Sequence, residues 1–126
     1  MEKINTTTAP EALGPYSQAV KTGNLVFCSG QTPLNPDTMK VDAATIEGQT
    51  KQVLENLSAV LKGVGLTLQD VVKTTVFLKS LDDFQNMNKI YAKMFEGHKP
   101  SRATIEVSKN PLDALVEIEC IAEIKS

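Results

Sequence analysis

The sequence predicts one α+β domain: a mixed β-sheet with two α-helices packed on one face. Three observations predict it. The apolar period switches four times between the two-residue repeat of strands and the three- and four-residue steps of helices. The resulting order is β-β-α-β-α-β-β, with room for an extra strand near the N-terminus. The chain has 126 residues, which suits a single domain over 1–126.

The elements follow in order. Gly14-Pro15 marks a turn. Gln18 to Lys21 and Leu25 to Ser29 flank Thr22-Gly23-Asn24, which reads as a tight hairpin. Pro33, Pro36 and Asp37 make a loop. From about Asp42 to Gly63, Ile46, Val53, Leu57, Val60, Leu61 and Val64 form a helical stripe. Asp42 is the expected N-cap and Gly63 or Gly65 the stop. Val71 to Leu78, rich in Val, Thr and Phe, reads as a strand. Ser80 with Asp83 suggests a capping box for a second helix carrying Phe84, Met87, Tyr91, Met94 and Phe95. Gly97 and Pro100 end it. Arg102 to Val107 reads as a strand, Asn110-Pro111 as a turn, and Leu115 to Ile124 as a regularly alternating strand.

Composition narrows the function classes. Apolar residues make up 41% and charged residues 22%, so most of the chain should fold around a core. Thirteen Lys and Arg face fifteen Asp and Glu, and the cations are scattered singly. That disfavours a nucleic-acid partner, which asks for a basic excess or stripe. No apolar run is long enough for a membrane span, and Met1 to Asn5 do not resemble a signal peptide. Cys28 and Cys120 lie inside apolar runs and read as small buried hydrophobes, with a disulfide or reactive thiol the alternative. A reducing cytoplasm fits these features.

Side chains alternate across a strand. Val116, Ile118, Cys120, Ala122 and Ile124 should meet the helices, and Glu117, Glu119, Ile121 and Glu123 should face away. By the same rule Ala103, Ile105 and Val107 suit the core, while Arg102, Thr104 and Glu106 face away from it. If the two strands are neighbours, the helix-free face gathers an arginine, a threonine and several carboxylates. Such a face is either wet or buried by a partner subunit.

Several segments carry a resemblance: Gly14-Pro15-Tyr16-Ser17-Gln18-Ala19, Ser29-Gly30-Gln31, Val72-Lys73-Thr74-Thr75-Val76-Phe77-Leu78, Pro100-Ser101-Arg102-Ala103 and Val116-Glu117-Ile118-Glu119. In order and spacing the chain closely resembles the RidA/YjgF-type imine deaminases over nearly its whole length. The resemblance implies a chorismate-mutase-like fold and a homotrimer with a central β-barrel, whose sites lie in clefts between subunits. It implies a 2-iminobutanoate/2-iminopropanoate deaminase, a hydrolase that turns reactive 2-imino acids or their enamine tautomers into 2-keto acids and ammonia without a cofactor.

It also implies roles. Arg102 matches the arginine that holds the substrate carboxylate, a task suited to a planar guanidinium. Glu117 matches the glutamate that positions the attacking water and moves protons; Glu119 is the alternative. Tyr16 matches a tyrosine lining the site from a neighbouring subunit. Ser29 and the main chain of Gly30 match a segment beside the ligand. Thr104 stands where many relatives have cysteine, which argues against thiol chemistry, and its backbone N–H is a candidate contact for the carboxylate. His98, the only histidine, reads as a loop residue and makes no metal site alone.

The chain departs from the family pattern in a short segment before Arg102, at Thr38-Met39-Lys40 and at Asn110. The short segment bears on substrate range, and the other two look structural. Two competing readings remain: an endoribonuclease or translation inhibitor, and a non-catalytic protein that binds 2-keto acids.

Overall fold

The computed structural model describes residues 1–125 and contains one six-stranded sheet and two long helices. The strands are β1 (Glu2–Ile4), β2 (Ala19–Thr22), β3 (Leu25–Gln31), β4 (Val71–Leu78), β5 (Ser101–Glu106) and β6 (Val116–Glu123). The helices are α1 (Ile46–Lys62) and α2 (Phe84–Phe95). The sheet order is β1-β2-β3-β6-β4-β5, and every pairing is antiparallel except β4 with β5. Those two run parallel because α2 carries the chain back between them, as a parallel pair requires. The extra N-terminal strand is β1.

The β2–β3 hairpin closes on Gly23-Asn24, with Gly23 at φ +59°, a conformation that costs glycine little. Both helices lie on one face. Val53, Leu54, Leu57, Val60 and Leu61 of α1 and Met87, Tyr91 and Phe95 of α2 are buried against Val26, Cys28, Val76, Leu78, Val116, Ile118 and Cys120. Cys28 and Cys120 are free, buried and directly opposite on β3 and β6. The Cys120 thiol is pushed well above its usual range, first by its hydrogen bond with Cys28 and then by burial.

Two caps differ from the sequence expectation. Thr45, not Asp42, caps α1, accepting from Gly48 N at 3.1 Å; the Asp42 carboxylate instead accepts from Thr38 Oγ1. Ser80 caps only a short 3-10 turn, Leu81–Asp83, and the α2 N-cap Asp83 makes no side-chain capping bond. The reciprocal capping box lies elsewhere, at Thr67 and Asp70.

Candidate functional site

One cleft, of about 640 Å³, opens beside β3 and β6. Tyr16, Ser29, Gly30, Glu117 and Glu119 line it. A bulge shapes its floor. Between the pairs Cys28–Cys120 and Gln31–Ile118, β3 spends two residues, Ser29 and Gly30, where β6 spends one. Bulges bend a strand and re-aim its neighbours. Here the Glu117 side chain lies directly over the Gly30 main chain. A Cβ on Gly30 would overlap the carboxylate and sit 2.9 Å from Glu117 Cδ, so only glycine fits without moving it.

Glu117 is half-buried, and its carboxyl is raised above the usual carboxylate value, first by burial and then by the neighbouring Glu119. Ser29 is turned away from a free role: its hydroxyl donates to Ser17 O at 2.7 Å and its N–H to Gln18 O at 2.9 Å. These bonds fasten the rim segment that carries Tyr16, which is 52% exposed. Tyr16 N–H also donates to Gly14 O, a three-residue turn around Pro15.

Four buried polar residues brace this end of the molecule. Gln18, 2% exposed, donates to Thr6 O and Pro10 O and accepts from Thr6 N–H, pinning the 5–18 segment. Asn56 donates to Thr32 O and Leu34 O. Gln49 accepts from Leu115 N–H beside the start of β6. Asn110 donates to Phe77 O and Ala114 O, holding a loop in which Leu112 and Asp113 both take positive φ. Gln49 and Asn56 carried one signal, a polar residue flanking the apolar stripe of a helix.

Arg102 lies elsewhere, on the opposite face. The sequence reading put Arg102, Thr104 and Glu106 on the helix-free face; the structure reverses this. Arg102 pairs with Thr74, and Thr104 with Val76, both buried under the helix layer. Nor are β5 and β6 neighbours, because β4 lies between them. The reason is that β5 is an edge strand. Ala103 and Ile105 look like core residues but stay exposed on the helix-free side, Ile105 at 45%. On the helix side, Arg102 meets α2, which offers aromatic and polar partners, and Glu106 accepts from Leu81 N in the turn before it.

Those partners form a cradle. Phe84, Asn88 and Tyr91 fall on one stripe of α2. Arg102 donates from Nη1 to Asn88 Oδ1 at 2.8 Å, and its guanidinium lies 4.8 Å from the Tyr91 ring centre and 5.5 Å from that of Phe84. Among the described residues no carboxylate pairs with it. A second cleft of about 460 Å³ runs past Arg102, Tyr91, His98 and Pro100. His98 sits in the α2–β5 loop, as expected, and its Nε2 meets Val71 O at 2.6 Å. A carbonyl can only accept, so Nε2 carries the proton. The Thr104 hydroxyl, one strand step beyond Arg102, is buried without a hydrogen-bond partner. Among the described residues no cluster of three or more His, Cys, Asp or Glu suits a metal, and no helix is long and apolar enough to cross a membrane.

Thus the structure brings Tyr16, Ser29, Gly30 and Glu117 together and places Arg102 and Thr104 apart from them. The sequence profile of the family described as Endoribonuclease L-PSP matches residues 6–124. The chain belongs to this family, the RidA/YjgF proteins. Among its relatives, Reactive Intermediate Deaminase A of Arabidopsis thaliana, a chloroplastic protein, is 50% identical over 98% of this chain and 66% of its own length. The solved YjgF protein of Escherichia coli superposes with a TM-score of 0.95 at 42% identity, over 99% of this chain and all of that one. TdcF of Escherichia coli, solved with bound serine, superposes with a TM-score of 0.95 at 38% identity, covering 99% of this chain and all of that one. This RidA/YjgF chain thus shares the mixed sheet and two helices of its solved relatives.

Proposed function

We propose that this RidA/YjgF protein hydrolyses 2-imino acids, such as 2-iminobutanoate and 2-iminopropanoate, to 2-keto acids and ammonia. One observation carries the reading: Glu117 sits half-buried in a cleft, its carboxyl raised above the usual range, against a main chain that only glycine leaves open. A carboxyl poised to exchange protons nearer neutrality suits both halves of imine hydrolysis. Its carboxylate takes a proton from a water as that water attacks the C=N carbon of the iminium. The same proton then passes to the nitrogen of the carbinolamine. Ammonia leaves as the hydroxyl oxygen forms the C=O bond and loses its proton. An iminium is already electrophilic, so the protein contributes orientation and charge placement and needs no cofactor. Arg102, with no carboxylate partner among the described residues, grips the substrate carboxylate, with the Thr104 main chain beside it. Tyr16 and the Ser29-Gly30 segment wall the site. The similarity to a plant reactive intermediate deaminase supports this chemistry. Serine bound to TdcF supports a ligand bearing an α-carboxylate.

Arg102 opposes Thr74 and Glu117 opposes Phe77, so the two lie two strands and three residues apart, roughly 14 Å, and point to opposite faces of one sheet. Both can touch one small substrate only if they come from different copies. On this reading the site is shared between copies, and the family resemblance implies their arrangement: a homotrimer whose helix-free faces meet in a central β-barrel. Exposed Phe27 and Ile105, with half-buried Phe77 and Ile121, give that face the apolar character such a contact needs. Two free buried thiols suit the cytoplasm, and the scattered charge favours a small-molecule substrate over RNA.

The direct test generates 2-iminobutanoate in situ and follows 2-ketobutanoate. Acceleration over buffer that disappears in Glu117→Gln is expected. No acceleration sinks the assignment, and cleavage of RNA by the pure protein, lost in Arg102→Ala, would favour a ribonuclease instead.

A further inference from the structure

Arg102 stands on a strand at the sheet edge, where a long side chain is ordinarily free to sample many rotamers. A carboxylate clamp needs the opposite: a guanidinium whose plane is set before the anion arrives. We propose that Tyr91 is the positioning residue that sets this plane, locked in turn by the buried hydroxyl of Thr74. This inference rests on the role given to Arg102 above.

The geometry assigns each part. The Tyr91 ring lies 4.8 Å beneath the guanidinium carbon, closer than the second ring, Phe84, at 5.5 Å. Stacking on an aromatic face fixes the plane of a guanidinium but leaves its edge open. Asn88 takes one Nη1 hydrogen and so limits rotation within that plane. Among the described residues no carboxylate pairs with the guanidinium, which leaves N–H groups on its open edge for the carboxylate of a substrate. Tyr91 itself cannot drift. It is 7% exposed, its ring packs 4.5 Å from the ring of Phe95, and its hydroxyl shares a 2.7 Å hydrogen bond with Thr74, which is fully buried. Thr74 is also the strand partner of Arg102. The bond therefore ties the ring to the same point of the sheet from which the arginine departs. A leucine at 91 would fill much of the space and satisfy the core, but it would present no π-face. Core packing alone therefore does not explain the arrangement.

The test compares binding of pyruvate with binding of pyruvamide, its uncharged analogue. Wild type should prefer pyruvate, and Tyr91→Leu should lose about tenfold of that preference, the scale of a partly desolvated cation–π contact. In turnover the loss should fall on KM rather than kcat. A merely structural defect would weaken both ligands alike and leave the ratio intact. If folded Tyr91→Leu keeps the ratio while Arg102→Ala loses it, the inference fails and the clamp reading survives. If Arg102→Ala also keeps it, the clamp reading itself falls. Should Tyr91→Leu not fold, Thr74→Val keeps the side-chain shape and frees the tyrosine hydroxyl. It should lower the ratio about twofold, and an unchanged ratio there overturns the inference.

Discussion

Glu117 gives the sharpest prediction about a single side chain. Its carboxyl is raised in the folded protein above the 4.5 of an ordinary glutamate. The folded state therefore holds its proton to higher pH than the unfolded chain does. Below about pH 4.5 both states are protonated and the group is neutral in the balance. As pH rises from there through the folded value, the unfolded state sheds its proton first and stability falls. Glu117→Gln removes that penalty, so its melting temperature should exceed wild type near pH 7 and match it near pH 4. The same variant should lose about 10²–10⁴-fold in turnover. A glutamine variant that is less stable at both pH values would contradict the burial argument. Gly30→Ala attacks the same carboxylate from below. Its methyl group must push the Glu117 side chain aside, so imine hydrolysis should fall at least about tenfold with modest loss of stability. A thermal melt paired with the keto-acid assay separates the two effects.

Most elements were legible in the sequence because their apolar periods were regular. α1, α2, β4 and β6 carry clear stripes or alternation, and the hairpin announces itself at Gly23-Asn24. The last strand presents Glu117 and Glu119 away from the helices, as its alternation predicts. β5 misled for a physical reason. Alternation says which residues share a face but not which face is covered, and on an edge strand the polar set can be the one under a helix. Arg102 there is stabilised by rings and an amide from α2, contacts between residues 11 to 18 positions apart that no local pattern reveals. The buried struts were hidden likewise, since Gln18 works through carbonyls far along the chain. Gln18→Ala should leave Thr6 N–H and the Thr6 and Pro10 carbonyls unsatisfied, costing about 1–3 kcal/mol in chemical denaturation. It should also raise KM, because the rim bearing Tyr16 loosens. A variant as stable as wild type would show the strut to be dispensable.

For the molecule as a whole, the separation of Arg102 from Glu117 ties the proposed chemistry to the proposed assembly. Arg102→Ala and Glu117→Gln should each be inactive alone. Unfolded together in equal amounts and refolded, they should regain about a quarter of wild-type activity, because a random mixture pairs one intact arginine with one intact glutamate at one interface in four. No recovery would mean that each copy builds its site alone. Ile105→Glu puts a charge on the exposed apolar face without touching the core. Sedimentation should then show monomers, with turnover lost and the far-UV spectrum retained.

The chain has no tryptophan and only two tyrosines, and these stand at the two halves of the proposed site: Tyr16 on the rim above Glu117, Tyr91 beneath Arg102. Excited where phenylalanine does not absorb, the chain therefore emits from these two phenols alone. A keto acid settling against the guanidinium should perturb that glow without any dye or label, and replacing either phenol by phenylalanine leaves a single lamp that tells which wall the ligand touched.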